Sequence, residues 1–280
     1  MVETSPFMRK TQMKNLCNLD SEPVLLEKYP SKHSKSINIA WLSDIDELPK
    51  KDAIHFFVAN EFFDALPFQK FQKTEKAYRE VLVDFNESKN KFEFVLSPKA
   101  TIGSQMVLKL NPYHNNFEHV EVSAETARQM ETISKKLLDY NGSILIMDYG
   151  HYGESKDTFR AFKDHKVVDV FENLGDCDLT YDVDFLFLRH IAQKCSTTCY
   201  GPVTQREFLS EMQIGARLQM LIKSCKNEED KNKLINDFKY LLSNDKMGER
   251  FKVMAVRKFD LRHTPPGFLS LDVDEDDKKK

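Results

Sequence analysis

The chain has 280 residues, 41% hydrophobic and 30% charged, with a net charge of -3. That is enough apolar matter for one large α/β core with insertions or two small domains, and no basic field argues for nucleic acid as a partner. No apolar run reaches the length of a membrane span. The five cysteines have irregular spacing. Cys195 and Cys199, which could share a helix face, give a weak metal signal, so free thiols in a reducing compartment are the simpler reading and no metal site is expected.

In chain order, Val2-Glu3 reads as the end of a strand and Ser5 to Leu16 as a helix with Pro6 at its start. Nothing before Val2 could pair it into a sheet, so the expectation is a fragment, a short isoform or a late-start gene model, and no signal or transit peptide is read before Val2. Asp20 to Lys35 reads as loop and Ile37 to Leu42 as a short strand, with Trp41 in the core. Ile54 to Ala59 is nearly continuous apolar sequence, the mark of a central parallel strand covered on both faces. Tyr78–Phe85 and Phe92–Leu96 read as an antiparallel hairpin, and His119–Val122 as extended. Ser123 caps a helix whose apolar residues recur through Leu137, and Asn141-Gly142 ends it. Ser143 to Asp148 is a second central strand, Asp178–Phe185 a loop feeding a helix, and Thr204–Ile222 a helical stretch that breaks near Gly215. A charged helix over Glu228–Leu242 and a strand over Phe251–Val256 follow. The order describes an α/β fold, a doubly wound sheet with inserted antiparallel strands and helices, incomplete at the N-terminus. It assigns residues 1–263 to one domain, with insertions at about 68–118 and 175–245 and a disordered tail over 264–280.

Open parallel sheets bind ligands beyond the carboxyl ends of their strands. Three polar endings meet that rule: Glu3, Asn60-Glu61 and Asp148-Tyr149-Gly150-His151. Each has a plainer reading, as a helix first-turn acid, as helix caps at Asn60 and Asp64, or as a turn with a chance histidine. No glycine-rich nucleotide turn, Walker lysine loop or Gly-x-Ser-x-Gly is present, which disfavours dehydrogenases and hydrolases.

The stretches Asn60–Pro67, Asp148–His151, Thr158–His165, Asp178–Phe185 and Gly201–Gln205 resemble, in order, the mitochondrial complex I assembly factor 7 family, also known from the MidA proteins. The resemblance implies a class I S-adenosylmethionine-dependent methyltransferase fold with S-adenosyl-L-methionine as cofactor. It implies symmetric dimethylation of an arginine on the 49-kDa-type iron–sulfur subunit of NADH:ubiquinone oxidoreductase, in the mitochondrial matrix. By position, Glu3 resembles the acid that holds the cofactor ribose, Asp44 lies in the stretch near the adenine, and Asn60 lines the junction of methyl donor and substrate. Glu61 is assigned to the substrate guanidinium with Asp64 assisting, and His151 to later proton removal. The family's glycine-rich cofactor loop and transit peptide have no counterpart in this sequence. A non-catalytic assembly or scaffold protein is therefore the alternative. The whole expectation places Glu3, Glu61 and Asp148 around one crevice.

Overall fold

The computed structural model describes residues 1–49, 53–154, 157–172, 174–258 and 263–269. Where one domain over 1–263 is expected, the chain divides into two compact units, Met1–Ala53 and Ile54–Lys280.

The first unit holds α1 (Pro6–Cys17), the two-residue strands β1 (Tyr29–Pro30) and β2 (Asn38–Ile39), and a 3-10 turn over Ile45–Glu47. The Ser5 side chain accepts Met8 N–H at the start of α1, Pro6 occupies the first turn, and Asn18 ends the helix in the left-handed conformation. Val2 pairs with Leu42 as a parallel bridge. Trp41 is fully buried, and its indole Nε1–H donates to Gln12 Oε1 at 2.8 Å.

The second unit runs β3 (Phe56–Asn60), β4 (Gln69–Lys73), β5 (Tyr78–Asn86), β6 (Lys91–Leu96), β7 (His119–Val122), α2 (Ala124–Tyr140), β8 (Ser143–His151), β9 (Arg160–Lys163), β10 (Lys166–Val168), β11 (Asp178–Thr180) and β12 (Val183–Asp184). It closes with α3 (Phe185–Lys194), β13 (Thr197–Thr204), α4 (Gln205–Glu211), α5 (Ile214–Lys223), α6 (Glu228–Leu242), α7 (Met247–Arg250) and β14 (Phe251–Lys258). Its main sheet has the order β12-β8-β14-β13, and β3 also pairs with β8. β3 and β12 run parallel to β8, one after the other along the same edge, while β14 lies antiparallel on the other edge.

Alternation along these strands sends Ile144, Ile146, Met254 and Val256 to one buried face. There α2 contributes Met130, Ile133 and Leu137, and α3 contributes Phe185, Leu188 and Ala192. The opposite face packs Val203, Phe208, Val253 and Phe268 against Leu145, Met147 and Ala255. With α2 and α3 on one face and α4 on the other, helices cover both faces of the sheet, as in a doubly wound fold. The β5–β6 hairpin belongs to a separate antiparallel sheet, β6-β5-β4-β7.

Several expectations shift. β3 is not covered on both faces: Phe56 is 78% exposed and Val58 70%, and as alternate residues of the strand they share one face. The stretch taken as a loop before α3 contains β11 and β12. The helical break falls at Gln213, which takes a left-handed φ of 62°, rather than at Gly215. Cys195 caps the end of α3 and Cys199 lies in β13, so they share no helix face.

The expected tail is ordered at its start. Thr264 to Leu269 are described, and Phe268 is 1% exposed against Phe208, with ring centroids 5.5 Å apart. Gly267 has a φ of 89°, and a Cβ there would fall 2.4 Å from the Phe208 ring. The rest of that tail, 270–280, lies outside the described residues. Replacing Phe268 with Ala empties a buried aromatic site. It is expected to cost about 3–5 kcal/mol, read as a lowered urea midpoint at unchanged slope.

Candidate functional site

The register of two parallel strands builds this site. Asn60 of β3 lies opposite Met147 of β8, and the Glu61 N–H donates to the Met147 carbonyl at 2.9 Å. The next residue of β8 is Asp148, whose side chain is fully buried. Its Oδ2 accepts three consecutive backbone N–H groups, from Phe62 at 3.2 Å, Phe63 at 3.1 Å and Asp64 at 3.4 Å. Its Oδ1 accepts Tyr149 N–H at 3.0 Å. Three successive amides thus turn onto one side-chain oxygen supplied from within the protein. The turn begins at Glu61, which adopts a left-handed φ of 45°. Such a conformation persists in a non-glycine residue only where its surroundings over-determine it.

The turn separates the two expected substrate carboxylates. Glu61 is exposed, and its side chain makes no hydrogen bond to another described residue. Asp64 is buried; its Oδ2 accepts the Thr180 hydroxyl at 2.9 Å and the Tyr149 hydroxyl as well. Its Oδ1 has no hydrogen-bond partner among the described residues. Arg160 lies over the Tyr149 ring, 5.0 Å from its centroid, and pairs with Asp182 at 2.7 Å.

Burial, reinforced by the nearby Asp64, pushes the Asp148 carboxyl up to about 8, against the pull of the three amides. Burial, then the hydrogen bond to Asp64, raises the Tyr149 phenol. A further acid, Glu121 of β7, is pushed up by burial to about 7. It accepts Thr158 N–H at 3.1 Å, Phe159 N–H at 3.0 Å and the Thr158 hydroxyl.

Asn60 is exposed at the end of β3. His151 is the last residue of β8, in register with Asp184, and its Nδ1 is buried without a partner among the described residues. Alternation sends it to the sheet face opposite Asp148. Gly150 between them is required, because a Cβ there would lie 2.0 Å from the Val183 carbonyl oxygen of β12. In the first unit, Glu3 accepts Ser5 N–H at 2.9 Å and Gln12 Nε2–H at 3.1 Å. Asp44 accepts Asp46 N–H at 2.9 Å and caps the 3-10 turn. The β3–β8 register thus brings Asn60, Glu61, Asp64 and Asp148 to one strand end.

Residues 1–203 match the family described as "Putative S-adenosyl-L-methionine-dependent methyltransferase". The chain belongs to this family. It is 37% identical over 262 residues to "Protein arginine methyltransferase NDUFAF7, mitochondrial" of Xenopus tropicalis, a match covering 91% of this chain and 59% of the frog protein. The human protein of that name is 37% identical over 264 residues, covering 91% of this chain and 58% of its own length. The chain thus spans about three fifths of the curated relatives it matches. A Burkholderia thailandensis crystal structure holding S-adenosyl-homocysteine superposes with a TM-score of 0.61 at 22% identity, over 78% of this chain and 56% of that one. A native Burkholderia thailandensis structure gives 0.70 at 19% identity, over 92% of this chain and 65% of that one. The fold is that of the class I methyltransferases.

Sequence reasoning singled out Asp148 as a polar strand end but missed its hold on the turn, and it gave no role to Tyr149, Thr180 or Glu121. The chemical signal was an acid placed directly after a buried apolar strand.

Both raised acids make stability depend on pH. An acid whose folded pKa lies above its unfolded value of about 4 contributes stability that is complete below that value. The contribution is lost as pH rises through about 7 for Glu121 and about 8 for Asp148. Asp148→Asn removes one share, so unfolding free energy measured from pH 5 to 8.5 is expected to fall less steeply in the variant than in the native chain. Equal slopes would contradict the raised Asp148.

Proposed function

We propose that the chain carries out S-adenosyl-L-methionine-dependent methylation of a protein arginine. The observation that carries this reading is the exposed Glu61 carboxylate at the end of a parallel strand, on a turn anchored by Asp148, in a member of a methyltransferase family. The relatives' names supply the arginine and the mitochondrial location.

The residues present suit the cofactor's hydroxyls. Each Glu3 oxygen accepts one hydrogen bond within the first unit, and a carboxylate has about four acceptor positions in all. Glu3 is proposed for the ribose diol, Asp44 for the adenine and Asn60 for the methyl-donor end. S-adenosyl-L-methionine, when bound, supplies the methyl group on a sulfonium sulfur. The Glu61 carboxylate would accept two guanidinium N–H groups as a fork, orienting the third nitrogen and concentrating electron density on it. Asp64 would assist from inside, holding Tyr149 and Thr180 beneath the turn. His151 is proposed to take the proton after transfer, when the methylated guanidinium releases it.

The proposed substrate is the 49-kDa-type iron–sulfur subunit of NADH:ubiquinone oxidoreductase, dimethylated symmetrically in the mitochondrial matrix during complex I assembly. The ordered blocks from Asn60 to Gln205 support this through the family they resemble. Among the described residues no helix is long and apolar enough to cross a membrane.

Calorimetric titration with S-adenosyl-L-methionine is expected to give saturable heat; its absence would favour a non-catalytic assembly role. With an arginine peptide as substrate, Glu61→Gln is expected to lower turnover about 100-fold or more, with the unfolding midpoint kept. Unchanged turnover would remove Glu61 from the reaction.

A further inference from the structure

Glu3 is held more completely than an acid flanking a helix needs. One of its carboxylate oxygens accepts Ser5 N–H at 2.9 Å, the contact such an acid makes at a helix start. The other accepts the side-chain amide of Gln12 at 3.1 Å, from further along α1. The main chain of Glu3 is held as well. Its N–H donates to the Leu42 carbonyl at 2.9 Å. Arg9 donates to the carbonyls of Glu3 at 3.0 Å and Thr4 at 3.1 Å. Arg9 is itself buried and is anchored by Glu22 Oε1, which accepts its Nη2–H at 2.7 Å and its Nε–H at 3.2 Å. Arg9 and Gln12 share one face of α1, and both reach back to Glu3.

The polarity of Gln12 is set from its far side. Its oxygen accepts the Trp41 indole N–H at 2.8 Å, and Trp41 is fully buried. An indole nitrogen can only donate, so it selects which end of the amide carries the oxygen. The amide NH2 is thereby left to donate to Glu3. A flipped amide would set donor against donor at Trp41 and oxygen against oxygen at Glu3. A buried indole N–H needs an acceptor, and that need alone explains the Gln12 oxygen. It does not explain an amide, because a carboxylate there would satisfy the indole equally well and would repel Glu3.

We propose that Gln12 is a positioning residue for the cofactor ribose: oriented by Trp41, it fixes the Glu3 carboxylate in the rotamer that receives the two ribose hydroxyls. The proposal rests on the reading of Glu3 as the ribose acid. A carboxylate has about four acceptor positions, and the Ser5 and Gln12 bonds use one on each oxygen. Each oxygen keeps one for a hydroxyl, the pairing a vicinal diol requires. A glutamate ordered before binding does not lose its rotamer freedom when the ligand arrives. Trp41 extends the order to the neighbouring strand end. It precedes Leu42, whose parallel bridge to Val2 brings Glu3 and Ser43-Asp44 to the same end of the pair.

The test is calorimetric titration of the full chain with S-adenosyl-L-methionine at pH 8, in a double-mutant cycle of Gln12→Glu with Glu3→Ala. Gln12→Glu keeps an acceptor for the indole but, charged at that pH, has no hydrogen to give Glu3. It is expected to weaken affinity about tenfold in the native background and less than about twofold where Glu3 is already Ala. The unfolding midpoint and the emission of Trp41, the one tryptophan of the chain, are expected to stay unchanged in Gln12→Glu. Gln12→Met, taken through the same cycle, removes the amide without adding a charge and serves if the first variant fails to fold. Native affinity in both Gln12 variants overturns the proposal and leaves Glu3 with the ribose. Equal losses with and without the Glu3 carboxylate also overturn it, because Gln12 would then act elsewhere. If Glu3→Ala binds as the native chain does, or if the native chain takes up no cofactor, the ribose reading fails and the role of Gln12 falls with it.

Discussion

The Asp148 side chain holds the turn at the end of β3 in one conformation. Three successive amides of the Phe62–Asp64 turn converge on a single oxygen. The parallel register of β3 and β8 places that oxygen one residue beyond the last pair, Asn60 and Met147. Without such an acceptor the three N–H groups would be buried and unsatisfied, at a cost comparable to losing several hydrogen bonds. The left-handed Glu61 and its exposed side chain follow from that convergence.

The arrangement assigns different work to neighbouring acids. Asp148 and Asp64 lie inside, surrounded by backbone amides, Tyr149 and Thr180. Glu61 lies outside, where its side chain is exposed. A guanidinium at this strand end would meet a ready acceptor without first displacing an internal partner. The buried acids hold the turn, and burial raises Asp148 into the neutral range.

Local signals made much of the fold legible. Ser5, Ser123, Thr204 and Asn227 each cap a helix with their own side chains, and each contact reaches only three residues along the chain. Ser143–Asp148 and Phe251–Val256 were readable because buried strands leave continuous apolar runs. The three-stranded sheet of β9, β10 and β11 was not: its strands are short and partly polar, and their pairing, not their composition, makes them strands. β13 was hidden because Gly201-Pro202 reads as a break, and the strand passes it through a register shift. At the site, the polar strand ends were visible, but the clamp joins Asp148 to residues 84 to 86 positions away. No spacing rule reaches that far. The burial of Asp64 and the exposure of Glu61 depend on it.

The central claim is that Asp148 holds the turn which presents Glu61. Amide hydrogen exchange at Phe62, Phe63 and Asp64, compared between the native chain and Asp148→Ala, tests it most directly. The amides of Ile144 and Ile146 in β8 serve as the internal reference. The account predicts that all three turn amides exchange slowly in the native chain and become fast together in the variant, with the reference amides unchanged. Turn amides that are already fast in the native chain, or that stay slow after the substitution, would contradict it.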